Sequence, residues 1–424
     1  MNKTANFDCI VIGGGPAGLM AGIAAAETSA KVLLIEKGDS LGRKLTISGG
    51  GRCNVTNSQS VDEIIKHIPG NGRFLHSVFA QFDNQDIIQF FEKLAVPLKE
   101  EDHGRMFPKD NQAKSVVNAL TKRFAALKGT TFLNTTVADI LFENGKAVAI
   151  QLENKEIITA KSFIIATGGG SAPHTGSTGD GYTWAELAGH TITELYPTEV
   201  PLLSNEPFIR KKSLQGLSLQ NVIVTILNAK GKAIVSHQMD IIFTHFGLSG
   251  PAVLRCSQFV VKELQKTKQN EITLQLDTYP AESVENLIKI MMEISKNQAN
   301  KSVKNALKGL LPERLLLFLL TKANIDANAT CATINNTKWK QLAQDIKKWE
   351  IKVNGTLPLE KAFVTGGGIS IKEIAPKTMA SKLIPNLFFC GEILDIHGYT
   401  GGYNITAALS TGRIAGKYAG KLVN

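Results

Sequence analysis

The feature that most constrains this chain is the run Gly13-Gly14-Gly15-Pro16-Ala17-Gly18. It sits between an apolar stretch at 7–12 (Phe-Asp-Cys-Ile-Val-Ile) and small residues from Leu19 to Ala26. That order predicts a buried strand, a tight glycine turn and a helix able to lie close to a sheet. In Gly13-x-Gly15-x-x-Gly18 the first glycine permits the turn, the second admits a pyrophosphate, and the third lets helix and strand pack. The helix N-terminus would turn its N–H groups and positive dipole toward phosphate. Residues 31–35 form the next apolar strand, ending in Glu36, eighteen residues beyond Gly18. A carboxylate there would bond a ribose hydroxyl and disfavours a 2′-phosphate, which sets NADP aside at this site. Cys9 to Ala26 is uncharged and near the length of a membrane span. Its glycines and Pro16 would make a poor spanning helix, and it lacks a basic n-region, so a strand, turn and helix explain it better.

The chain is 43% hydrophobic and 20% charged, which excludes a disordered polypeptide. Its 424 residues suggest two or three domains. Residues 61–125 read as mainly helical, with Val116, Val117, Ala119, Leu120 and Phe124 on one stripe. Thr131 to Ile158 alternates and has a turn signal at Glu143-Asn144-Gly145, as in a small β-meander. Ser162 to Ala166 is a continuous apolar strand entering Thr167-Gly168-Gly169-Gly170. Glycine runs return at Thr365-Gly366-Gly367-Gly368 and after the strand Leu387 to Cys390, and a last helix is expected from near Asn404 to about Leu422. Between them the texture differs. Residues 221–227 and 232–244 read as strands, and Ala281 to about Lys348 as helices with their most apolar run at Leu311 to Leu320. The expected fold class is α/β. A nucleotide-binding domain is built from 1–190 and 355–424, so that all the Gly-rich strand ends share one sheet. An insertion at 191–354 is β-rich over about 191–275 and forms a helical subdomain over about 281–348.

Residues 163–168 (Phe-Ile-Ile-Ala-Thr-Gly) resemble the second signature of flavoproteins, and 388–395 (Phe-Phe-Cys-Gly-Glu-Ile-Leu-Asp) resemble their late strand. With the first motif, these look like the glutathione-reductase-type FAD-binding Rossmann fold. More specific are Gly42 to Asn57 (Gly-Arg-Lys-Leu-Thr-Ile-Ser-Gly-Gly-Gly-Arg-Cys-Asn-Val-Thr-Asn), His397 to Asn404 (His-Gly-Tyr-Thr-Gly-Gly-Tyr-Asn) and Thr244 to Pro251. Together they resemble a bacterial family of NAD(P)/FAD-dependent oxidoreductases, also labelled aminoacetone-oxidase-like FAD-binding enzymes. The resemblance spans essentially the whole chain and implies FAD as cofactor. Carried over, Gly13, Gly15, Gly18 and Glu36 would hold the ADP half. Lys44, Gly49, Gly50, Arg52, Cys53 and Asn54 would line the flavin side. Gly391 and Glu392 would meet the ribityl and pyrophosphate, and Gly402, Tyr403, Asn404 and Ile405 the isoalloxazine edge. Pro16, Ala17, Lys37, Ser48, Val137, Thr167 and Gly168 complete the candidate cofactor set. A helix starting at Asn404 would aim N–H groups at flavin N1 and O2, where negative charge develops on reduction.

Several candidate residues carry more than one reading. Cys53 is a redox thiol, a covalent flavin link, or a small buried residue. His245 is a general acid or base, or a structural histidine. Tyr399 donates a proton or packs. Arg52 holds an anionic substrate or supports its glycine loop. The five cysteines form no CxxC and the eight histidines no HxH or HExxH, so no metal site and no disulfide framework are expected. A reducing cytoplasm is the simplest location for such a chain.

The leading reading is an FAD-dependent oxidoreductase that moves a hydride between a small organic substrate and the flavin. The resemblance admits both amine oxidation and enone reduction. No second complete GxGxxG occurs: the third position after Gly366 and Gly368 is Ile371. NAD(P)H, as an electron donor, would therefore visit the flavin transiently. A second reading is an RNA-associated flavoprotein. Residues 191–354 hold 21 Lys and Arg against 14 Asp and Glu, or +7 of a net +10. Those lysines are scattered without aromatic interleaving, which disfavours nucleic acid. A third reading is a flavin redox sensor without turnover. Substrate, reaction direction, oligomeric state and electron partner are left open at this level.

Overall fold

The computed structural model describes residues 6–423. Two compact units emerge: residues through Tyr196 with those from Leu359 onward, and Pro197–Pro358. The divisions thus fall a few residues beyond the 190 and 354 read from sequence.

In the first unit, strand Asn6–Ile12 is central. It pairs in parallel with Val32–Ile35 on one side and Ile157–Ile165 on the other. Thr130–Phe132 extends the first side, and Leu387–Phe389 runs parallel to residues 163–165 on the second. The hairpin Val137–Glu143 and Lys146–Leu152 joins antiparallel to the start of Ile157–Ile165. Val32–Ile35, Leu387–Phe389 and the C-terminal ends of Asn6–Ile12 and Ile157–Ile165 are buried, so they read in sequence as unbroken apolar runs rather than alternations. The register matters most. Ile12 stands opposite both Ile35 and Ile165, and Ile165 opposite Phe389. Four strands therefore end level, and Gly13, Glu36, Ala166 and Cys390 leave the sheet along one edge.

The first helix, Pro16–Ala26, packs against the last, Tyr403–Lys421. A side chain at Gly412 would stand 2.3 Å from the carbonyl oxygen of Ala17, and one at Gly416 2.0 Å from that of Ala21. Both chain ends are locked together by this backbone-to-backbone contact.

Residues 61–125 are mainly helical, as expected, and also hold Leu98–Glu101 and Arg105–Pro108, which with Thr56–Asn57 make a three-stranded antiparallel sheet. Strands of two to four residues carry too few side chains to show a period. The Gly366–Gly368 run does not end a strand of the main sheet; it lies inside Val364–Ile369, paired with Ile192–Thr198. Its glycines admit a close neighbour, since a Cβ on Gly367 would meet Glu194 O at 2.1 Å.

The second unit holds a seven-stranded sheet with antiparallel pairings, among them Ser218–Leu227, Ala233–Phe243, Ile272–Asp277 and Trp349–Val353. Helix Pro251–Thr267 packs on it, inside the stretch expected to be β-rich. Its buried Val253, Cys256 and Val260 repeat at helical spacing after a Gly-Pro start, a readable signal. Glu313–Lys322 buries Leu315, Leu316, Leu319 and Leu320 in the helical core.

His190 is buried in the first unit, with Nδ1 3.1 Å from Glu373 Oε2 and Nε2 2.8 Å from Ser381 Oγ. Ser381 Oγ also accepts from the N–H groups of Leu383 and Ile384, so the trio is a turn lock rather than a nucleophile. Burial lowers the imidazole pKa below its usual 6.5, and Glu373 only partly opposes this. The unfolded chain therefore takes up the proton first on acidification. This part of the stability is complete above about pH 6.5 and is lost as pH falls toward the lower folded value. Denaturant melts at pH 7 and 5.5 should show wild type losing stability and His190→Gln losing measurably less. Equal losses would refute the assignment.

Candidate functional site

The level strand ends build a groove. Gly15 caps the first helix, with Pro16 at its first position and no side-chain cap, so the opening N–H groups face outward from the sheet edge. Gly18 must be glycine for packing: its Cβ would lie 1.8 Å from Gly13 O. Gly15 differs, because a Cβ there would meet nothing within 4 Å. The space beside Gly15 is what a phosphate approaching the backbone would need.

Glu36 leaves the next strand and is held in place. Its Oε2 accepts from Gly14 N and its Oε1 from Gly38 N, each at 2.8 Å. It lines a cavity with Ile12, Gly13, Val137, Thr167 and Trp184. Lys37 borders the same cavity, but its ammonium pairs with Asp180 at 2.6 Å and with Thr178. Thr167 Oγ1 is buried and has no hydrogen-bond partner among the described residues. Gly168 follows it in a left-handed turn against Ser177.

Further along the edge, Lys44 Nζ bonds Glu392 Oε2 at 2.7 Å and Ser171 Oγ at 2.8 Å. Glu392 Oε1 accepts from Thr365 N at 2.9 Å, and Thr365 Oγ1 accepts from the N–H groups of Gly170 and Ser171. Lys44 and Glu392 are thus brought together from residues 348 apart. Gly391 N donates to Thr411 Oγ1 on the last helix, and its Cβ would meet that of Ala17 at 2.7 Å.

The 48–54 loop is self-supporting. Ser48 Oγ donates to Leu45 O, and Ser48 O accepts from Cys53 N. Gly49 and Gly50 adopt left-handed conformations beside it. Arg52 bonds Glu101 at 2.9 Å and lies over the Phe107 ring at 4.1 Å. Burial pushes Glu101 up, yet Arg52 and Lys99 prevail and hold its carboxyl below the usual range. Arg52 is therefore engaged as a loop support here. Cys53 is fully buried, and burial pushes its thiol up to about 12. Cys9 is likewise raised to about 12, and Cys256, Cys331 and Cys390 are raised as well. An aromatic disulfide reagent at pH 8 should find no fast thiol in the native protein and all five after denaturation. A single fast thiol lost on Cys53→Ala would restore a redox role for Cys53.

Gly402 caps the last helix in a left-handed conformation, and its Cβ would clash with Thr56 O at 2.5 Å. The side chains after it face the protein. Tyr403 stacks on His67 at 4.7 Å and donates to Gln59, while Asn404 closes its loop through Gly398 N, Gly398 O and Tyr399 O. What Tyr403, Asn404 and half-buried Ile405 can offer a ligand is their first-turn N–H groups. Asn54 Oδ1 lies beside Gly402 and is buried without a hydrogen-bond partner among the described residues.

Tyr399 is buried in the same loop, with its N–H on His67 O and its ring in a T-shaped contact with His67. His245 is exposed at a turn of the Pro197–Pro358 unit. Residues missed in the sequence include Ser171 and Thr365, which flank glycine runs. Missed too were Arg43, adjacent to Lys44, and the hydrogen-bonded pair of Tyr196 and His397 at 2.9 Å. Among the described residues no cluster of His, Cys, Asp and Glu is placed to hold a metal ion, and no helix is long and apolar enough to cross a membrane.

The donor set fits FAD. Backbone N–H groups and open space beside Gly15 would suit a pyrophosphate, and the held Glu36 carboxylate would suit a ribose. Two polar atoms are orphaned: Thr167 Oγ1 at the cavity, and Asn54 Oδ1 beside Gly402. The flavin ring carries an N3–H donor that an acceptor such as Asn54 Oδ1 could receive.

Comparison with known proteins agrees. The chain is 33% identical over 404 residues to the ribosomal RNA dihydrouridine synthase of Haemophilus influenzae, covering 95% of this chain and 96% of the relative. It is 28% identical to the 3-dehydro-bile acid delta(4,6)-reductase of Clostridium scindens, covering 96% and 98%. Among solved structures, the 3-ketosteroid-delta4-(5alpha)-dehydrogenase of Rhodococcus jostii RHA1 matches with a TM-score of 0.51 at 15% identity, covering 99% and 98%, which speaks to fold alone. The model of the HI0933-like protein Rossmann domain matches residues 7–418. With that match added to the sheet edge, the glycine turn and the orphaned acceptors, the chain belongs to the HI0933-like family of FAD-binding Rossmann oxidoreductases.

Proposed function

We propose that this protein is an FAD-dependent reductase that saturates a carbon–carbon double bond conjugated to a carbonyl. The observation that carries this reading is a shared reaction in two relatives whose named substrates differ. A Δ4,6-reduction of a 3-dehydro bile acid and the formation of a dihydrouridine both add two hydrogens across such a bond. Bound FAD supplies the hydride transfer. The chain supplies the rest. Glu36 and the N–H groups after Gly15 anchor the ADP end. The N–H groups after Gly402 stand where negative charge on the pyrimidine edge is stabilised. Asn54 Oδ1 accepts from the ring and fixes its orientation.

Purified protein with bound flavin should bleach when mixed anaerobically with NADH or NADPH. It should recover its absorbance on adding a 3-oxo-Δ4,6 steroid or a simple cyclic enone. Flavin that no nicotinamide bleaches but an amine does would overturn the proposal in favour of an oxidase.

A second reading takes the conjugated bond to be that of a uracil within ribosomal RNA. The name of the Haemophilus influenzae relative and the +7 excess over residues 191–354 favour it. Recovery of the reduced flavin by rRNA fragments but not by free enones, with steep salt dependence, would select it.

A further inference from the structure

Arg43 takes no part in the cofactor contacts named above, yet the fold is shaped around it. A Cβ on Gly38 would lie 2.4–2.7 Å from Arg43 Cζ, Nη2 and Nε, so the guanidinium lies face-on over that glycine. A Cβ on Gly176 would lie 2.4 Å from Nη2 but 3.4 Å from Cζ, so the Nη2 tip abuts Gly176. Glu36 and Gly176 both line the adenosine-side cavity. The tip therefore stands at its rim, between the ribose carboxylate and the opposite wall.

The separation from Glu36 is informative. Arg43 Nη2 is 3.6 Å from Glu36 Oε1, too long for the ~2.7–2.9 Å of a charge-assisted hydrogen bond. In this arrangement the two groups flank a gap. Glu36 is pinned by the N–H groups of Gly14 and Gly38, and the Arg43 guanidinium lies against Gly38 and Gly176. Arg43 Nε is buried with no hydrogen-bond partner among the described residues. A hydroxyl both donates and accepts, a carboxylate only accepts, and a guanidinium only donates. A pair held slightly apart can take both sides of one hydroxyl.

We propose that Arg43 and Glu36 form a two-sided clamp on an adenosine ribose hydroxyl of FAD, with Glu36 accepting its proton and Arg43 Nη2 donating to its oxygen. The clamp rests on FAD occupying the groove. It selects a free ribose hydroxyl.

The test uses full-length apoprotein freed of flavin, titrated with FAD by quenching of flavin fluorescence. Analogues lacking the adenosine 2′- or 3′-hydroxyl are titrated alongside. Arg43→Met should bind FAD roughly ten- to a hundredfold more weakly, as expected for a lost hydrogen bond to a charged group. Wild type should lose at least about tenfold on removal of one hydroxyl, and Arg43→Met severalfold less on the same removal, since only the Glu36 half of the clamp is then left to lose. A role confined to gluing two turns together would weaken FAD and both analogues alike, leaving the hydroxyl's contribution intact. That result, or wild-type FAD affinity in the variant, overturns the clamp. If Arg43→Met does not fold, as judged by circular dichroism, Arg43→Ala takes its place in the same comparison. It likewise removes the donor, and the same outcomes decide. Wild-type apoprotein that binds no FAD would overturn the cofactor assignment and the clamp with it.

Discussion

Gly416→Leu is expected to abolish the folded state, although residue 416 lies far from any reacting group. Gly412, Gly416 and Gly420 recur every fourth residue on the last helix and face Ala17, Ala21 and Ala25 of the first. Even a single Cβ at 416 would stand 2.0 Å from Ala21 O, and at 420 one would stand 2.9 Å from Ala25 O. Backbone cannot yield as a flexible side chain can. Ordinary overpacking costs about 1–3 kcal/mol. Prising apart two helices that join the chain ends should exceed that and approach the ~5–15 kcal/mol total of a typical protein. Gly416→Ala should lower the melting temperature markedly. Lys421→Leu, on the exposed end of the same helix, should change stability by less than about 0.5 kcal/mol. Thermal melts of the three variants decide the matter. A wild-type melt for Gly416→Ala would mean the helices do not touch as described.

The fingerprint glycines should separate folding from cofactor binding. Gly18→Ala places a Cβ 1.8 Å from Gly13 O and should destabilise the protein and lose flavin together. Gly15→Ala places its Cβ in open space, at an ordinary φ of −73°. As a change at a helix cap it should cost no more than about 1 kcal/mol. The same methyl occupies the approach to the pyrophosphate, so FAD affinity should fall by roughly a hundredfold, about 2.7 kcal/mol. Apoprotein melts and flavin titrations give both quantities. Gly15→Ala protein that purifies yellow, with wild-type affinity, would show that the phosphates do not pass this residue.

Much of the site is legible in the amino-acid order alone. Glycine spacing, a carboxylate eighteen residues later and apolar strands of fixed length are local facts, and local backbone physics links them to a strand–turn–helix. The 42–57 and 397–404 motifs are readable for the same reason. Side-chain assignments within them are less so. Asn404 and Tyr403 are spent on Gly398, Gln59 and His67, and Arg52 on Glu101 and Phe107. No periodicity says which partner a polar side chain will find.

The sequence by itself determined that Gly13, Glu36, Thr167 and Gly391 follow strands, because propensity and apolar runs act over a few residues. Tertiary structure decided that these strand ends lie level and that Lys44 meets Glu392. It also decided that Gly38 and Gly176 close on Arg43, and that Gly416 rests on Ala21. Most of those contacts join segments far apart in the chain. Their existence depends on sheet register and close packing, which exist only once the whole unit has folded.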